Sequence, residues 1–432
     1  MKTIILGGGL AGLSLTYFLK SECIVLEKEK HIGGLCRSYE LNGIKYDIGP
    51  HALFSKNKNI LTTITSLIDA QLLKRSNKIY YKYKFIKYPF ENDLFALEEA
   101  EREYCLKEFL CNPYENYTAH NMLQFFLKTF GEGITKLYLQ PYNEKIWKFD
   151  PAFMDTQMVE RIPKPPKEDV VKSAQGIPTE GYLHQLHFHY PRSGGIQALV
   201  SSLAALIAPR STIIYPVSIQ SIVKTSGQWV VETDRGVYAS ELLINCMPLH
   251  ELFAFIEAPQ SIRSALEKLK YNSIHIVAIQ AQRDALGNNF AIYCPDKEVI
   301  FHRVSKVNFL GDSYCLPNGS STILAEITYR PDSYVGSLST ENIKQRTITN
   351  LDQLGLVRAG DVLAVEIKSF PYAYVIYDLT HRHNVDYILN YLLQIGIRCC
   401  GRFAEFEYLN MDAVFEHSYT LAQQINAASH GK

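Results

Sequence analysis

The N-terminal residues show an apolar pattern that changes from strand-like to helical and back. The apolar runs 2–6 and 23–26 predict two short strands, and the apolar periodicity of residues 13–19 between them predicts a helix. A glycine-rich turn at 7–12 separates the first strand from the helix. A strand, a glycine turn and a helix in this order predict a dinucleotide-binding βαβ unit.

The remaining pattern predicts helices first and strands later. Apolar residues recur at spacings of three and four over 62–73 and 93–130, which indicates a helical insertion. Prolines and glycines over 161–181 predict a linker or lid without regular structure. Another helix is predicted over 196–206. Strand-like runs lie at 212–215, 228–233, 242–246, 274–280, 290–294, 322–329 and 362–368.

The glycine turn and an acid downstream have the spacing of a nucleotide site. Gly7 permits a sharp turn, Gly9 lets the backbone approach a pyrophosphate, and Gly12 lets the helix pack closely on its strand. The phosphates would lie at the helix N-terminus. Glu27 ends the second strand about 20 residues after Gly7, where a carboxylate accepts the two hydroxyls of an adenosine ribose and repels a 2′-phosphate. The flanking elements make a ligand-free glycine turn the weaker interpretation.

Two further segments resemble a large flavoprotein group that holds amine oxidases, protoporphyrinogen oxidases, phytoene desaturases and sugar-nucleotide mutases. Segment 31–38, with its pair Gly33-Gly34, resembles the second FAD-contacting turn of that group. Segment 46–51 resembles the strand beneath the flavin and the loop whose backbone meets flavin N5. The resemblance implies that the dinucleotide is FAD. It also favours a functional role for His51, although most lone histidines are surface or core residues.

Together, these patterns predict an α/β fold with a Rossmann-like FAD-binding domain, a helical insertion and an antiparallel β-sheet substrate domain. We expect the FAD-binding domain to be discontinuous and to comprise residues 1–87, 195–260 and 398–432. The helical domain is expected at 88–161. The lid segment and the substrate sheet are expected at 162–194 and 261–397.

Charge and cysteine content narrow the class of flavoprotein. The 44 Lys and Arg residues balance the 44 Asp and Glu residues, so the net charge recruits neither nucleic acid nor an anionic membrane. The nine cysteines form no C-x-x-C pair, and Cys399 and Cys400 are adjacent, which is typical of reduced thiols. With no recognisable secretory signal and no run of about 18 apolar residues, we expect a cytoplasmic protein without an integral membrane segment.

Four separated blocks resemble the UDP-galactopyranose mutase family over nearly the whole chain. Block 88–90 resembles the entrance to the family's helical domain. Block 141–147, followed by 159–161, resembles the part that ends in a diphosphate-binding arginine. Block 291–303 resembles the part with a second such arginine and a tyrosine that stacks on uracil. Block 401–412 resembles the C-terminal motif, whose arginine contacts flavin and whose tyrosine contacts phosphate.

The resemblance and the residues above imply a site without a metal. The residues with a predicted catalytic role are His51, Arg161 and Arg303. The predicted cofactor site comprises Gly7, Gly9, Leu10, Ala11, Gly12, Glu27, Lys28, Gly33, Gly34, Leu35, Gly49, Pro50, His51, Val217, Arg402, Met411 and Asp412. The predicted substrate site comprises Tyr88, Asn143, Trp147, Arg161, Tyr293, Arg303, Tyr374 and Tyr408.

The chemistry of these side chains suits a nucleotide diphosphate, because two guanidinium groups offer planar donor forks and tyrosines add hydroxyl donors. Plainer interpretations exist for each residue. Arg161 alone could be solvated, Arg303 could form a surface ion pair, and Trp147 could be a core residue. Met411 opens an apolar helix whose N-terminus would face the flavin O2 edge, but Asn410 could be an ordinary cap.

The resemblance implies an isomerase that uses reduced FAD without net redox change. In that family reaction, flavin N5 forms an adduct at the anomeric carbon, the arginines retain the expelled nucleotide, and the sugar recloses as a furanose. UDP-galactopyranose and UDP-galactofuranose would be the substrate pair, serving cell-surface polysaccharide synthesis. If NAD(P)H is the reductant, it must bind in the open cleft, because no second glycine-rich dinucleotide turn is present.

Several departures from the family keep other functions open. Pro50 replaces a usual Gly or Ala, Glu91 replaces an amide, and the tyrosine expected after Arg303 is not evident. One alternative is an FAD-dependent oxidase or desaturase of the amine oxidase or protoporphyrinogen oxidase type, which needs an apolar tunnel. Another is an FAD-binding chaperone or assembly factor. The nucleotide, sugar, reductant, glycan pathway and oligomeric state, with a homo-oligomer as one alternative, stay open.

Overall fold

The computed structural model describes residues 2–159, 162, 164–181 and 186–430. Its strands are β1 (Thr3–Leu6), β2 (Cys23–Leu26), β3 (Ser38–Leu41), β4 (Ile44–Asp47), β5 (Ala70–Lys74), β6 (Asn77–Tyr81), β7 (Lys84–Lys87), β8 (His187–Pro191), β9 (Thr212–Ile214), β10 (Ile219–Thr225), β11 (Gln228–Thr233), β12 (Gly236–Ser240), β13 (Leu242–Asn245), β14 (Lys270–Ala281), β15 (Ala291–Tyr293), β16 (Arg303–Lys306), β17 (Ser321–Tyr329), β18 (Val362–Ile376) and β19 (Ile397–Cys399). Its α-helices are α1 (Leu10–Phe18), α2 (Lys58–Ser66), α3 (Glu99–Leu110), α4 (Met122–Ile134), α5 (Gln140–Trp147), α6 (Lys167–Ala174), α7 (Gln197–Ile207), α8 (Leu249–Leu252), α9 (Gln260–Lys268), α10 (Tyr334–Ser337), α11 (Thr340–Gln353), α12 (His381–Ile395) and α13 (Met411–His430).

A parallel sheet carries the glycine turn. In the described residues its strand order is β19-β13-β1-β2-β9, and the paired neighbours run parallel. Ile4, Ile5 and Leu6 of β1 are fully buried, as expected for an apolar strand covered on both faces. α1 packs against α7 and α13 beside this sheet. The predicted Rossmann-like α/β architecture is confirmed.

A second, larger sheet is mainly antiparallel. Its strand order in the described residues is β18-β14-β17-β16-β15-β6-β7, and the β15–β6 pair is parallel. β14 is paired along both edges, with β17 and β18, and its residues are buried along most of its length. The predicted antiparallel sheet is therefore confirmed. None of the helices in the described ranges is long and apolar enough to cross a bilayer.

The helical prediction for 62–73 is wrong at its C-terminal end. α2 ends at Ser66, and Ala70–Lys74 forms strand β5, which pairs with β8. Burial along β5 alternates only partly from residue to residue. The local pattern of apolar residues is therefore compatible with a helix as well as with a strand. Pairing with β8, more than 110 residues away, decides the strand.

The prediction for 93–130 is correct in part, because two helices with a gap replace one helical run. α3 ends at Leu110 and α4 begins at Met122. Pro113 interrupts the pattern, since proline lacks the amide donor that a helix interior needs. The Asn121 side chain accepts a hydrogen bond from the Gln124 amide and caps α4.

The prediction of no regular structure over 161–181 is wrong for its middle part. Lys167–Ala174 forms helix α6. Pro166 precedes the first turn, where a proline is tolerated, and Glu168 and Asp169 in that turn favour the positive end of the helix dipole. Gly176, with a φ of 79°, follows the helix.

The ranges of the predicted domains need one change. β6 and β7 belong to the larger antiparallel sheet, although their residues fall inside the predicted FAD-binding range 1–87. The local sequence could not reveal this pairing, because β6 pairs with β15 more than 210 residues away. The other domain boundaries stay a proposal.

Candidate functional site

A cavity of about 1430 Å³ is lined by residues from the parallel sheet, the antiparallel sheet and α5. The predicted site residues that line it are Gly7, Gly9, Leu10, Ala11, Glu27, Lys28, Gly33, Gly34, Leu35, Gly49, Pro50, His51, Tyr88, Asn143, Trp147, Val217, Tyr293, Arg303, Tyr374, Arg402, Tyr408, Met411 and Asp412. Gly12 does not line the cavity. Arg161 lies outside the described residues, whereas Val159 and Ile162 near it in sequence line the cavity.

The glycine turn forms one end of this cavity from backbone. A Cβ atom on Gly12 would lie 2.0 Å from the Gly7 carbonyl oxygen, so only glycine lets α1 approach its strand here. Gly9 forms a parallel bridge with Gly33, which joins the two glycine turns. The Leu13 amide makes the first bond within the helix, to the Gly9 carbonyl. The amides before Leu13 have no carbonyl partner within the helix, and amides at such an N-terminus suit an anion.

Glu27 lies beside the turn, at the end of β2. Its carboxylate accepts hydrogen bonds from the Gly8 amide at 2.8 Å and the Glu29 amide at 2.8 Å. Burial raises the pKa of Glu27 above its ordinary value, and these two amides oppose that shift. The Val217 amide binds the Glu27 carbonyl oxygen at 3.0 Å and brings the next segment of the cavity wall into place.

A dinucleotide fits this end of the cavity. The Gly401 position would bring a Cβ to 2.6 Å from Ala11 Cβ, and a Cβ on Gly7 would lie 3.1 Å from the Cys246 carbonyl carbon. The Gly401 backbone therefore lies close to Ala11, and the Gly7 backbone lies close to Cys246, around the helix N-terminus. Glu27, an acid that can bind ribose hydroxyls, lies beside the same turn. We call the backbone of residues 7–12, with its bridge to Gly33, the glycine cradle. It suits phosphate because it offers amide donors at a helix N-terminus and has glycine at four of its six positions.

The Gly49 loop lies between this cradle and the antiparallel sheet. Gly49 has a φ of 75°, and a Cβ there would lie 2.8 Å from Glu326 Oε2. His51 Nδ1 is 3.1 Å from the Gly49 carbonyl oxygen and 3.9 Å from Asp47 Oδ2. Burial lowers the pKa of His51, although the Asp47 carboxylate opposes that shift. His51 is thus tied to the backbone of its own loop.

The predicted diphosphate ligand Arg303 is held by a buried acid. Arg303 Nε and Nη2 each donate to the Glu326 carboxylate at 2.6 Å, which is a bidentate pair. The Glu326 side chain is 1% exposed and that of Arg303 is 20% exposed. Burial disfavours the charged form of Arg303, but Glu326 outweighs it and raises the pKa. Arg303 therefore stays charged, with its plane fixed.

Three side chains surround the Tyr293 ring, so its faces are not freely open for stacking. The Tyr88 ring stacks on the Tyr293 ring at 4.8 Å, and the Tyr142 ring meets it edge-on at 5.6 Å. The Arg303 guanidinium lies 5.8 Å from the centre of the same ring. Tyr88 thus covers one face of the Tyr293 ring.

A second aromatic group closes the cavity beside α5. Trp147 meets the Tyr374 and Tyr408 rings edge-on at 5.7 and 5.8 Å, and these two tyrosines stack on each other at 5.8 Å. The Trp147 indole donates to Asn143 Oδ1 at 2.8 Å. Trp147 is 6% exposed and lines the cavity, so it is both a core residue and a wall residue.

Arg402 and the start of α13 form the last part of the wall. Arg402 donates to the Leu409 carbonyl at 2.8 and 2.5 Å and to the Ala373 carbonyl at 3.0 Å. Its guanidinium also lies 4.9 Å from the Tyr408 ring centre. Arg402 thus ties two backbone segments of the wall together. The Val414 amide makes a helical bond to the Asn410 carbonyl, so the amides before it are available at the N-terminus of α13.

Glu326 is the main site residue that the sequence analysis missed. It lies in the run 322–329, which was predicted only as a strand. An acid among buried apolar residues of a central strand is itself a signal, because a buried carboxylate needs a partner. Tyr142, in the block 141–147, was also left out of the predicted substrate site.

Comparisons with known proteins agree with the fold. A family described as NAD(P)-binding Rossmann-like domain matches residues 5–67. The chain is similar to a solved reduced UDP-galactopyranose mutase, with a TM-score of 0.89 and 20% identity over 99% of this chain and 94% of that one. It is also similar to a protoporphyrinogen oxidase candidate from Exiguobacterium sp. 255-15, with a TM-score of 0.78 and 15% identity over 99% of each chain.

Two further similarities are with a solved oxidase structure and with a curated protein. A putrescine oxidase double mutant has a TM-score of 0.69 and 11% identity over 99% of each chain. A curated protein of Methanothermococcus thermolithotrophicus, named as an uncharacterized protein in the nifH2 3′ region, is 43% identical over 67 residues. That match spans 15% of this chain and 65% of the relative's own length. The structural likenesses, at such low identity, establish the fold.

Proposed function

We propose that the chain binds FAD in this cavity and, with the flavin reduced, interconverts the pyranose and furanose forms of a nucleoside diphosphate hexose. UDP-galactopyranose and UDP-galactofuranose are the first pair to test, because a UDP-galactopyranose mutase has a similar fold. The observation that carries the proposal is that the glycine cradle and the Arg303–Glu326 pair line one cavity. A nucleotide sugar and the cofactor would therefore share it.

The arginines are proposed to hold the diphosphate. Arg303 uses Nε and Nη2 for Glu326, which leaves Nη1 as the donor for a phosphate oxygen. Arg161 is proposed as the second ligand. Its support is the family-like block that ends in it and the position of Val159 and Ile162 on the cavity wall.

The tyrosines are proposed as neutral donors to phosphate and sugar oxygens. Burial raises the pKa of Tyr88 and of Tyr374 above their ordinary value, so both hydroxyls stay protonated at neutral pH. The edge of Trp147 keeps Tyr374 and Tyr408 in place and reduces the space for water. Donors that are already oriented lose little entropy when a ligand binds.

The cofactor-facing residues are proposed to orient the flavin. The glycine cradle and Glu27 would hold the ADP part, and the Gly49 loop and the N-terminus of α13 would face the ring system. Reduced FAD would supply the nucleophile for the anomeric carbon, which explains why an isomerase needs this cofactor. A helix N-terminus stabilises negative charge, and that charge gathers at the O2 edge on reduction.

An oxidase of the same flavoprotein group is the second candidate. One observation favours it: Glu326 compensates the charge of Arg303, so this part of the cavity is less cationic than the arginine alone would make it. The folds of a protoporphyrinogen oxidase candidate and of putrescine oxidase are also similar. The two candidates differ in what they do with oxygen and with nucleotide sugars.

The test is turnover with the flavin in each redox state. The purified FAD-loaded protein is reduced with dithionite without oxygen and mixed with UDP-galactofuranose or the furanose form of another nucleoside diphosphate hexose. The pyranose products are separated by chromatography. We expect conversion with the reduced protein and none with the oxidised protein. No conversion of any nucleotide sugar, with rapid oxidation of an amine or porphyrinogen by oxygen, would instead support the oxidase.

Arg161→Ala tests the proposed diphosphate contact. We expect UDP affinity to fall by about tenfold or more, which corresponds to loss of a charge-assisted hydrogen bond. FAD content should stay unchanged, because Arg161 belongs to the predicted substrate residues. Unchanged UDP affinity would remove Arg161 from the site. Lys164→Ala is the matched control, since Lys164 pairs with Glu115 on the surface.

A further inference from the structure

A side-chain pair outside the cavity connects two elements of its wall. The Glu405 carboxylate accepts a hydrogen bond from the Gly401 amide at 2.7 Å through Oε2. Its other oxygen, Oε1, lies 2.9 Å from His417 Nδ1. Glu405 belongs to the loop that carries Gly401 and Arg402, and His417 lies on α13. Neither Glu405 nor His417 lines the cavity or has a part in the proposed reaction.

The position of Gly401 is sensitive to small shifts. Its φ is 112°, and a Cβ there would lie 2.6 Å from Ala11 Cβ at the start of α1. The loop backbone therefore approaches the helix that has the proposed phosphate site. The Glu405 amide also donates to the Gly401 carbonyl at 2.8 Å, so both backbone groups of Gly401 are held by one residue. A change at Glu405 would move the loop relative to α1.

We propose that Glu405 and His417 are positioning residues for FAD, which fix the Gly401 loop against α1 and tie it to α13. The Gly401 loop and α13 then keep a fixed position relative to each other where they line the cavity. The pair of Glu405 and His417 therefore contributes to FAD affinity without contacting FAD. The inference rests on FAD binding alone. It does not depend on whether the reaction is that of a mutase or of an oxidase.

The pair also makes FAD affinity depend on pH. The hydrogen bond with Glu405 raises the pKa of His417 from 6.5 to about 8, and burial opposes that shift. The other titratable groups that act on His417 are Glu407 on the same loop and Cys400 next to β19. Because the folded pKa is raised, the ion pair contributes fully below pH 6.5 and is lost as the pH rises through about 8.

The test measures FAD binding to the apoprotein. FAD is removed, and the dissociation constant is measured by quenching of flavin fluorescence at pH 6.5 and at pH 8.5. For the unchanged chain we expect affinity to be about two- to fivefold weaker at the higher pH, as for a partly exposed ion pair. His417→Gln should bind FAD with the weaker affinity at both pH values. The visible spectrum of bound flavin reports whether its surroundings have changed.

Two further variants separate positioning from general loss of structure. Glu405→Gln keeps an acceptor for the Gly401 amide but loses the charge, so it should match His417→Gln. Arg382→Gln breaks an ion pair of the same loop with Glu407, at 2.9 Å, and should keep the pH dependence. The proposal is overturned if His417→Gln keeps the pH dependence of the unchanged chain, or if Arg382→Gln abolishes it as well.

Discussion

The two parts of the cavity are built in different ways. The glycine cradle uses backbone amides and close approaches within residues 7–34, and its acid Glu27 is held by neighbouring amides. The proposed substrate part uses side chains from distant positions, such as the stacked rings of Tyr88 and Tyr293, which are more than 200 residues apart. Backbone sites depend on spacing along the chain, whereas side-chain sites depend on tertiary pairing. The glycine cradle should therefore lose stability and FAD when its glycines are substituted. The proposed substrate part should lose stability and UDP affinity when its charged residues are substituted.

The largest effect is expected from Gly12→Ala. The new Cβ would lie 2.0 Å from the Gly7 carbonyl oxygen, and neither α1 nor the turn can move without breaking the cradle. We expect the free energy of unfolding to fall by about 3 kcal/mol and bound FAD to be lost. Thermal unfolding and the flavin absorbance of the purified protein measure both.

Gly360→Ala is the matched control. No heavy atom lies within 4 Å of the Cβ position at Gly360, and its backbone does not need a positive φ. Its stability and FAD content should equal those of the unchanged chain. An FAD-loaded Gly12→Ala protein with unchanged stability would contradict the view that this end of the cavity is fixed by backbone contacts.

The next largest effect is expected from Glu326→Ala. It leaves Arg303 without its bidentate partner in a mostly buried place, and we expect the free energy of unfolding to fall by about 3 kcal/mol. FAD content should persist, because the cradle is not changed. Urea unfolding and flavin absorbance are the measurements.

The double variant Arg303→Met, Glu326→Leu sharpens this test. Replacing both partners with apolar residues removes the unpaired charge, so stability should return towards that of the unchanged chain. UDP affinity should not return, since the donor is gone. If the double variant binds UDP normally, Arg303 is a structural residue of the sheet and the side-chain part of the comparison is wrong.

The smallest expected effect is a dependence of stability on pH, which arises from a histidine in the antiparallel sheet. His275 of β14 stacks on Tyr329 at 3.9 Å and lies 2.7 Å from Ser369 Oγ. Burial lowers the pKa of His275 from 6.5 to about 4, so the unfolded chain binds a proton before the folded one does. Stability from this group is present above pH 6.5 and is lost as the pH falls towards 4.

Urea unfolding at pH 7 and pH 5 measures this dependence. We expect the unchanged chain to lose about 1–2 kcal/mol from His275 between these values. In His275→Gln, which keeps a donor for Ser369, that part of the loss should disappear. An equal loss in both proteins would show that His275 is already charged in the fold or exposed to water.

Features built from neighbouring residues could be predicted from the sequence, whereas features built by distant pairing could not. The α/β fold was predictable because the glycine turn, the strand ends and the acid are local patterns. Strand β5 and the place of β6 were not, because their partners are more than 110 and 210 residues away. Helix α6 was missed because the prolines before it indicate broken structure, although Pro166 lies at its N-cap, where the helix needs no amide donor from it.

The residues of the candidate site also differ in how far the sequence could predict them. The glycine turn and Glu27 could be predicted from spacing, whereas the other cofactor residues came from a family resemblance. All of the predicted cofactor residues except Gly12 line the cavity. The substrate residues could be predicted only from a family resemblance. Glu326 was missed even so, and the stacking of Tyr88 on Tyr293 was not predicted. Spacing does not encode which acid pairs with an arginine or which face of a ring is covered. The roles assigned to these residues remain predictions.

The most direct test of the central claim is calorimetric titration of UDP into the FAD-loaded protein, for the unchanged chain and for Arg303→Met. We expect one UDP per chain, with affinity at least about tenfold weaker in Arg303→Met and with the same FAD content in both proteins. Absence of UDP binding at millimolar concentration, or equal affinity in the two proteins, would contradict a nucleotide diphosphate site beside the cofactor.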